Sequence, residues 1–255
     1  VNIVLVDGDD DEMTPWPDDL TRRAAMHAAL GEPARLAVVD ALRHSDRSPK
    51  ELGERLGLAT NLLAHHLDVL EGAGLIERFT SSGDKRRKYV RLVLTAETDL
   101  SPRAASRRTE RAGAAPVLFL CSHNSARSQL AAALWTARTG SSASSAGTHP
   151  APRVHRGAVA AARRAGLDLS AAQPRVIDRI APDTQVVTVC DRAHEELTPT
   201  DDWWHWSVPD PVEIGTAAAF DDAVEQLDRR ITTVLAAATT ADSPTIATSP
   251  EGTTS

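Results

Sequence analysis

The stretch PVLFLCSHNSARSQLAAALW, Pro116–Trp135, constrains the fold more than any other part of the chain. A continuous apolar run, Val117–Leu120, stops at Cys121. Small and polar residues follow, and from about residue 126 an alanine-rich pattern takes up helical spacing. A strand that is apolar on both faces must be covered on both faces, and a helix following it directly supplies one cover. The alternation continues with a strand at about 142–146, a helix at 154–166, a strand at 185–190, a loop-helix region, a strand at 203–207 and a helix at 216–237. These periods predict an α/β three-layer domain over 116–238, built on a four-stranded parallel sheet.

The preceding part has a different pattern. DDLTRRAAMHAAL, EPARLAVVDALRH and SPKELGERLGL are helical in period; the first has a capped start, and the third opens with Ser48-Pro49 at its cap and first-turn positions. A turn at Gly57-Leu58 leads to ATNLLAHHLDVLEGAGLI, where Leu62, Leu63, Leu67 and Leu70 recur near helical spacing. After Gly74 the period drops to two in IERFTSSGDKRRKYVRLVL, two strands around a Ser-Ser-Gly-Asp turn. A helix-turn-helix followed by a basic hairpin predicts a winged helix, mainly α with a β hairpin, over 20–94. Three segments lack a core-forming pattern: an acidic arm at 1–19, a polar linker at 95–115 and a low-complexity tail at 239–255.

Charge follows these divisions. The net value is −7, yet residues 20–111 carry 17 Lys and Arg against 12 Asp and Glu. A basic segment inside an acidic chain points to a polyanion-binding module joined to something else. The first residues of the second helix of a helix-turn-helix face base edges in the major groove, here Thr60, Asn61, Ala64 and His65. The Asn61 amide matches the adenine edge. Lys85, Arg86, Arg87 and Lys88 on the hairpin are placed to meet phosphates or the adjacent minor groove. Two cysteines make no disulfide framework, no Cys/His cluster has zinc spacing, and no metal site is expected. No apolar segment reaches the roughly 20 residues that span a bilayer, and the opening VNIVLVDGDDDE lacks a signal peptide's basic flank, so the expectation is a cytoplasmic protein without a membrane partner.

Cys121 stands where a strand delivers its end to a helix N-terminus. Amides point outward there and the helix dipole favours negative charge. A thiol in such a place with a guanidinium nearby is biased toward the nucleophilic thiolate. The loop Ser122, His123, Asn124, Ser125, Ala126, Arg127 and Ser128 would then hold the oxygens of a tetrahedral oxyanion while sulfur attacks its centre. Asn124 can brace the loop and tolerate a left-handed backbone, and Ser128 is placed to hydrogen-bond the sulfur. Cys190, at the end of QVVTVC, either fills core space or acts as a second, resolving thiol. Trp203, Trp204 and Trp206 are expected to pack on sheet and loops, and His149 and His155 to lie in a solvated loop.

SPKELGERLGLATNLLAHHLDVLEGAGLIERF resembles the ArsR-type winged-helix repressor family. That resemblance implies a homodimer formed through the winged helix on palindromic double-stranded operator DNA. Arsenite-sensing members carry a cysteine pair on the first helix of the motif, where this chain has KELGERL. Residues 116–238 resemble the low-molecular-weight tyrosine phosphatase superfamily, specifically its arsenate reductases, through CSHNSARS, SSAGTHPA and VPDPVE. The resemblance makes Asp210 a general acid that protonates the leaving oxygen. Tyrosine phosphatases place aromatic residues after this Asp-Pro, whereas Val212 and Glu213 follow here, which favours a small inorganic oxyanion, arsenate or phosphate. Thioredoxin-coupled arsenate reductases need a further cysteine near 197, which is Leu197. The expectation is a DNA-binding regulator fused to a thiol-dependent arsenate reductase. No cofactor is expected to be bound. The external reductant is either thioredoxin or mycothiol or glutathione with a glutaredoxin-like partner. The rivals are a phosphatase with a DNA-binding domain and a non-catalytic, oxyanion-responsive repressor.

Overall fold

The computed structural model describes residues 16–93 and 115–241, with side chains to residue 236. Most of the predicted acidic arm, the linker and the tail lie outside the described residues. The N-terminal unit comprises α1 (Asp18–Leu30), α2 (Pro33–Leu42), α3 (Pro49–Leu56), α4 (Thr60–Gly72), β1 (Ile76–Thr80) and β2 (Lys88–Leu92). Asp18 and Asp19, expected in the arm, form the first turn of α1, where carboxylates complement the helix dipole. Pro17 precedes them, and α1 lacks the side-chain cap expected from its sequence. Ser48 and Glu51 cap α3 reciprocally: Ser48 Oγ accepts the Glu51 amide at 3.2 Å and Glu51 Oε2 accepts the Ser48 amide at 2.7 Å. Leu63, Leu67 and Leu70 of α4 are buried, but Leu62 is exposed, because it sits one position off that stripe. β1 and β2 pair antiparallel from Ile76↔Leu92 to Thr80↔Lys88 and form the wing.

The C-terminal unit carries β3 (Val117–Cys121), α5 (Arg127–Thr139), β4 (Ala143–Gly147), α6 (Arg156–Arg164), β5 (Gln185–Thr188), α7 (Asp191–Glu196), β6 (Trp204–His205), α8 (Pro211–Ile214) and α9 (Ala217–Ala241). Its strands form one parallel sheet in the order β4-β3-β5-β6. The connection leaving β3 runs to β4 on one side and that leaving β5 runs to β6 on the other, so a crevice opens between the carboxyl ends of β3 and β5, where ligands of open α/β sheets bind. Phe119, Trp135 and Trp206 are buried together, with Phe119 ring centroids 6.0 Å from Trp135 and 5.8 Å from Trp206. α9 continues to Ala241, past the expected start of the tail, and its final AAATTA is rich in the best helix former. Among the described residues no helix is long and apolar enough to cross a membrane.

The two units do not stand apart. Backbone and side chains of 44–46, after α2, pair with 205–207 after β6. The Asp46 amide donates to His205 O at 2.7 Å, Trp206 Nε1 to His44 O at 2.9 Å, and the Ser207 amide to Asp46 Oδ2 at 2.8 Å. Asp46 also takes Arg230 Nη2 at 2.7 Å on each oxygen. A second seam is a buried polar chain. Asp191 Oδ1 meets His205 Nε2 at 3.1 Å, Thr188 Oγ1 lies 2.9 Å from Nδ1 of both His205 and His194, and His194 Nε2 lies 3.4 Å from Glu51 Oε1.

Burial sets the charge states along this seam. Burial pushes His44 down to about 4, with Arg43 adding to the effect. Burial, and then the neighbouring His205, brings His194 to about 4, against the opposing pull of Glu51 and Asp191. Burial alone would raise Glu51, but bonds from His194 and Ser48 bring it to about 2. Asp191 is likewise held well below the usual carboxylate range against its burial, chiefly by His205. An unfolded histidine begins to bind a proton near pH 6.5, whereas His44 and His194 wait until about 4 in the fold. Stability is therefore complete above about pH 6.5 and falls as pH drops toward 4, by up to about 1.4 kcal/mol per unit for each histidine. Thermal unfolding followed from pH 7 to pH 4 should show that decline, and His194→Gln should make it shallower, leaving the share of His44.

Candidate active site

Cys121 ends β3 and is buried, with 2% of its surface exposed. Residues 122–126 turn the chain into α5. Almost every carbonyl of this loop is taken by a partner on its outer side. Cys121 O accepts from Thr148 N at 3.2 Å, Ser122 O from His149 N at 2.8 Å, His123 O from Ala151 N at 2.9 Å and Ser125 O from His155 N at 2.8 Å. Asn124 O accepts from Gln129 Nε2 at 3.1 Å. In a trans peptide the N–H of the next residue points opposite to the carbonyl. With the carbonyls of 121–125 turned outward, the amides of 122–126 turn inward. Two of them meet sulfur: Asn124 N donates to Cys121 Sγ at 3.1 Å and Ser122 N to Cys190 Sγ at 3.3 Å. α5 starts at Arg127 with no side-chain cap, so its first-turn amides join the same concavity.

The loop is braced from behind. Asn124 adopts φ +48, a left-handed conformation that asparagine tolerates better than most residues. Its Nδ2 donates to Ser128 Oγ at 2.8 Å, and its Oδ1 accepts from Gln129 Nε2 at 3.1 Å and Arg175 N at 2.8 Å. Ser128 Oγ lies 3.0 Å from Cys121 Sγ. Gln129, which the sequence did not single out, spans the loop and Gln173 O at 3.1 Å. Gly147 explains the SSAGTHPA stretch in physical terms: a Cβ there would come within 2.7 Å of Ser122 O and 3.0 Å of the Asn124 amide nitrogen.

Arg127 is buried, and its guanidinium is aimed at the 208–210 segment, donating to Val208 O at 2.9 Å and Asp210 Oδ2 at 2.5 Å. Burial would lower its pKa, but Cys190, Asp210 and Cys121 outweigh that and raise it, so the cation is secure. Asp210 caps α8 through Oδ1, which accepts Val212 N at 3.0 Å, and so joins a structural role to its place beside Arg127. Cys190 does not end a strand, since β5 stops at Thr188. It is instead the cap of α7, buried, with Sγ accepting Ala193 N at 3.4 Å. Burial pushes its thiol pKa up, with Arg127 pulling it back. The cavity over the loop is bordered by Ser122, His123, Arg127 and Asp210, by Cys190 and Arg192, and by Glu213 and Ser82. It measures about 20 Å³, room for roughly one water while Asp210 grips Arg127.

Ser82 comes from the wing. Its amide and Oγ donate to Asp191 Oδ2 at 2.6 and 3.0 Å. Ser81 Oγ donates to Glu195 Oε1 at 2.7 Å and the Asp84 amide to Glu195 Oε2 at 2.9 Å. Nothing in the local pattern around SSGD indicated this docking. The residues expected to read DNA remain accessible: Thr60, Asn61, Ala64 and His65 are exposed on α4, as are Lys85, Arg86, Arg87 and Lys88 beyond the docked turn. His66 is buried while His65 is not. His155, expected in a solvated loop, caps α6 and stacks on Phe220 at 5.1 Å, whereas His149 is largely exposed.

Residues 116–243 match a family model described as low molecular weight phosphotyrosine protein phosphatase, and residues 30–78 match one described as a helix-turn-helix domain, which implies DNA binding. Among solved structures, the chain is similar to an arsenate reductase from Archaeoglobus fulgidus DSM 4304, at 28% identity over 47% of this chain and 98% of that one, with a TM-score of 0.41. A Corynebacterium glutamicum thioredoxin-dependent arsenate reductase is 23% identical over 50% of this chain and 63% of that one, with a TM-score of 0.41. A mutant of YwlE from Bacillus subtilis is 18% identical over 48% and 97%, with a TM-score of 0.44. No curated protein matches the chain significantly.

The close approach at Gly147 generates a specific expectation. Gly147→Ala should push the loop inward and weaken binding of inorganic phosphate by about tenfold or more, measured by calorimetry. The fold should survive, as judged by circular dichroism.

Proposed function

The chain belongs to the low molecular weight phosphotyrosine protein phosphatase family, and from that membership we propose that its C-terminal unit is a thiol-dependent arsenate reductase. Cys121 Sγ attacks arsenic while the inward amides and Arg127 hold the oxygens, once the anion has displaced Asp210 from the guanidinium. Asp210, returning to the leaving side, delivers a proton to the departing oxygen, which leaves as water. Cys190 then attacks Cys121 Sγ. The S–S bond forms, the S–As bond breaks with its electron pair kept by arsenic, and arsenite leaves. Two thiols have lost two electrons and As(V) has become As(III). A thioredoxin, or a low-molecular-weight thiol such as mycothiol or glutathione with a glutaredoxin-like protein, returns those electrons.

The observation that carries this reading is the placement of a second thiol against the nucleophile's loop, with Cys190 Sγ accepting the amide of Ser122, the residue after Cys121. A phosphatase has no use for it, whereas a reductase needs an electron source within reach. Val212 and Glu213, in place of a ring-binding aromatic pair, point the same way. Mixing the reduced chain with arsenate should yield arsenite and a Cys121–Cys190 disulfide detectable by mass spectrometry of the joined peptides. Cys121→Ser should abolish arsenite formation. Retained reduction in that variant, or steady aryl phosphate turnover without thiols and no arsenite, would refute the mechanism.

The N-terminal unit is proposed to bind an operator as a homodimer, with Asn61 and its neighbours on α4 in the major groove and Lys85 to Lys88 on phosphates. One contact favours a second reading, an oxyanion-responsive repressor: the wing turn bonds to Asp191, next to Cys190, which gives an anion in the pocket a route to the DNA-reading unit. By reciprocity, an anion that alters this docking alters DNA affinity by the same factor that DNA alters anion affinity. Cys121→Ser, titrated with a duplex selected by the chain itself, should change affinity at least about threefold when phosphate saturates the pocket. An unchanged affinity would remove this reading.

A further inference from the structure

We propose that the wing turn of the DNA-binding unit is a specificity wall of the oxyanion pocket, with Ser82 closing it to phosphate esters and leaving it open to free tetrahedral oxyanions. The inference rests on the reading of Cys121 as an oxyanion-binding nucleophile and names the substrate class of that site.

The wall is firmly held. Ser82 borders the cavity, and both its amide and its hydroxyl are tied to Asp191. Asp191 cannot swing away, because its other oxygen takes His205 Nε2 at 3.1 Å in the buried seam between the units. Glu195, one turn further along α7, takes Ser81 Oγ, the Asp84 amide and, at 3.3 Å, the Tyr89 hydroxyl. The turn sits so close to α7 that a Cβ on Gly83 would lie 2.6 Å from Glu195 Oε2 and 3.0 Å from the Arg192 amide nitrogen. The φ of Gly83 is not among the positive ones, so contact, and not backbone conformation, is what requires glycine there.

A free arsenate or phosphate ends at its own four oxygens. It needs only the loop amides and the space Asp210 vacates when Arg127 turns to the anion. An ester must also run its alcohol portion outward past the residues that border the cavity, Ser82, Arg192 and Glu213 among them. With the wing docked, Ser82 of the other unit narrows that path. The N-terminal unit thus completes a site whose nucleophile belongs to the C-terminal one.

Gly83→Val in the full chain lifts the turn without substituting any residue that borders the pocket, and Glu195→Ala loosens it by a different route, removing the acceptor of Ser81 and Asp84. The probes are inorganic phosphate and phenylphosphonate as competing ligands, with p-nitrophenyl phosphate turnover as the kinetic readout. Both variants should gain about tenfold in kcat/KM for p-nitrophenyl phosphate and in affinity for phenylphosphonate, with inorganic phosphate within about twofold of the native chain. An unchanged preference in both variants, with unfolding midpoints confirming intact folds, would overturn the wall. If the native chain binds both anions but forms no arsenite, the reductase reading fails while the ratio still reports on the wall. If it binds neither, the reading of Cys121 fails and the wall falls with it.

Discussion

The carbonyls from Cys121 to Ser125 all turn outward onto partners behind the loop, four of them onto amides of the 148–155 segment, and the proposed chemistry of the C-terminal unit depends on that orientation. A peptide group has one donor and one acceptor on opposite sides, so satisfying the acceptors behind the loop leaves the donors in front. The ring of inward amides is therefore a by-product of ordinary backbone satisfaction, made possible where Gly147 lets β4 approach the loop closely. The inward amides and the guanidinium of Arg127 supply positive character around Cys121. Among the described residues no cluster of metal-ligating side chains was found.

The contact between the units is of a different kind from either core. It is built from a backbone pairing at 44–46 and 205–207, a buried ion pair at Asp46 and Arg230, and the Asp191–His205–Thr188–His194–Glu51 chain. Apolar contacts tolerate sliding, but buried polar groups lose much of their value when a partner moves. Such a seam specifies one relative placement, and that placement brings Ser82 to the rim of the pocket. Glu51 illustrates the economy of the arrangement: one oxygen caps α3 of the DNA-reading motif while the other meets His194 of the catalytic unit.

Much of the architecture was legible in the chain. The strand and helix periods after residue 116 correspond to β3 through α9, and Ser48-Pro49 marked the start of α3, because these signals are local and agree with the tertiary structure. Differences arose where neighbours decide. Cys190 lies in an apolar run and was expected to end a strand, but β6 pairs only as far as Thr188 and the sulfur becomes a helix cap. Leu62 fits an apolar tally and is exposed, since a helix buries a stripe and not a composition. His155 sits in a loop by sequence and is stacked on Phe220, contributed by α9 far along the chain.

The sequence by itself determined the two unit types, the strand–loop–helix that carries Cys121, Arg127 and Ser128, and the basic run on the hairpin, because each is encoded in residues within a few positions of one another. Only the tertiary structure decided that Arg127 faces Asp210, that Cys190 touches the amide after Cys121, and that the wing turn borders the pocket. Those contacts join residues 68 to 114 positions apart, and no local period or spacing records which distant surfaces will satisfy each other's buried polar groups.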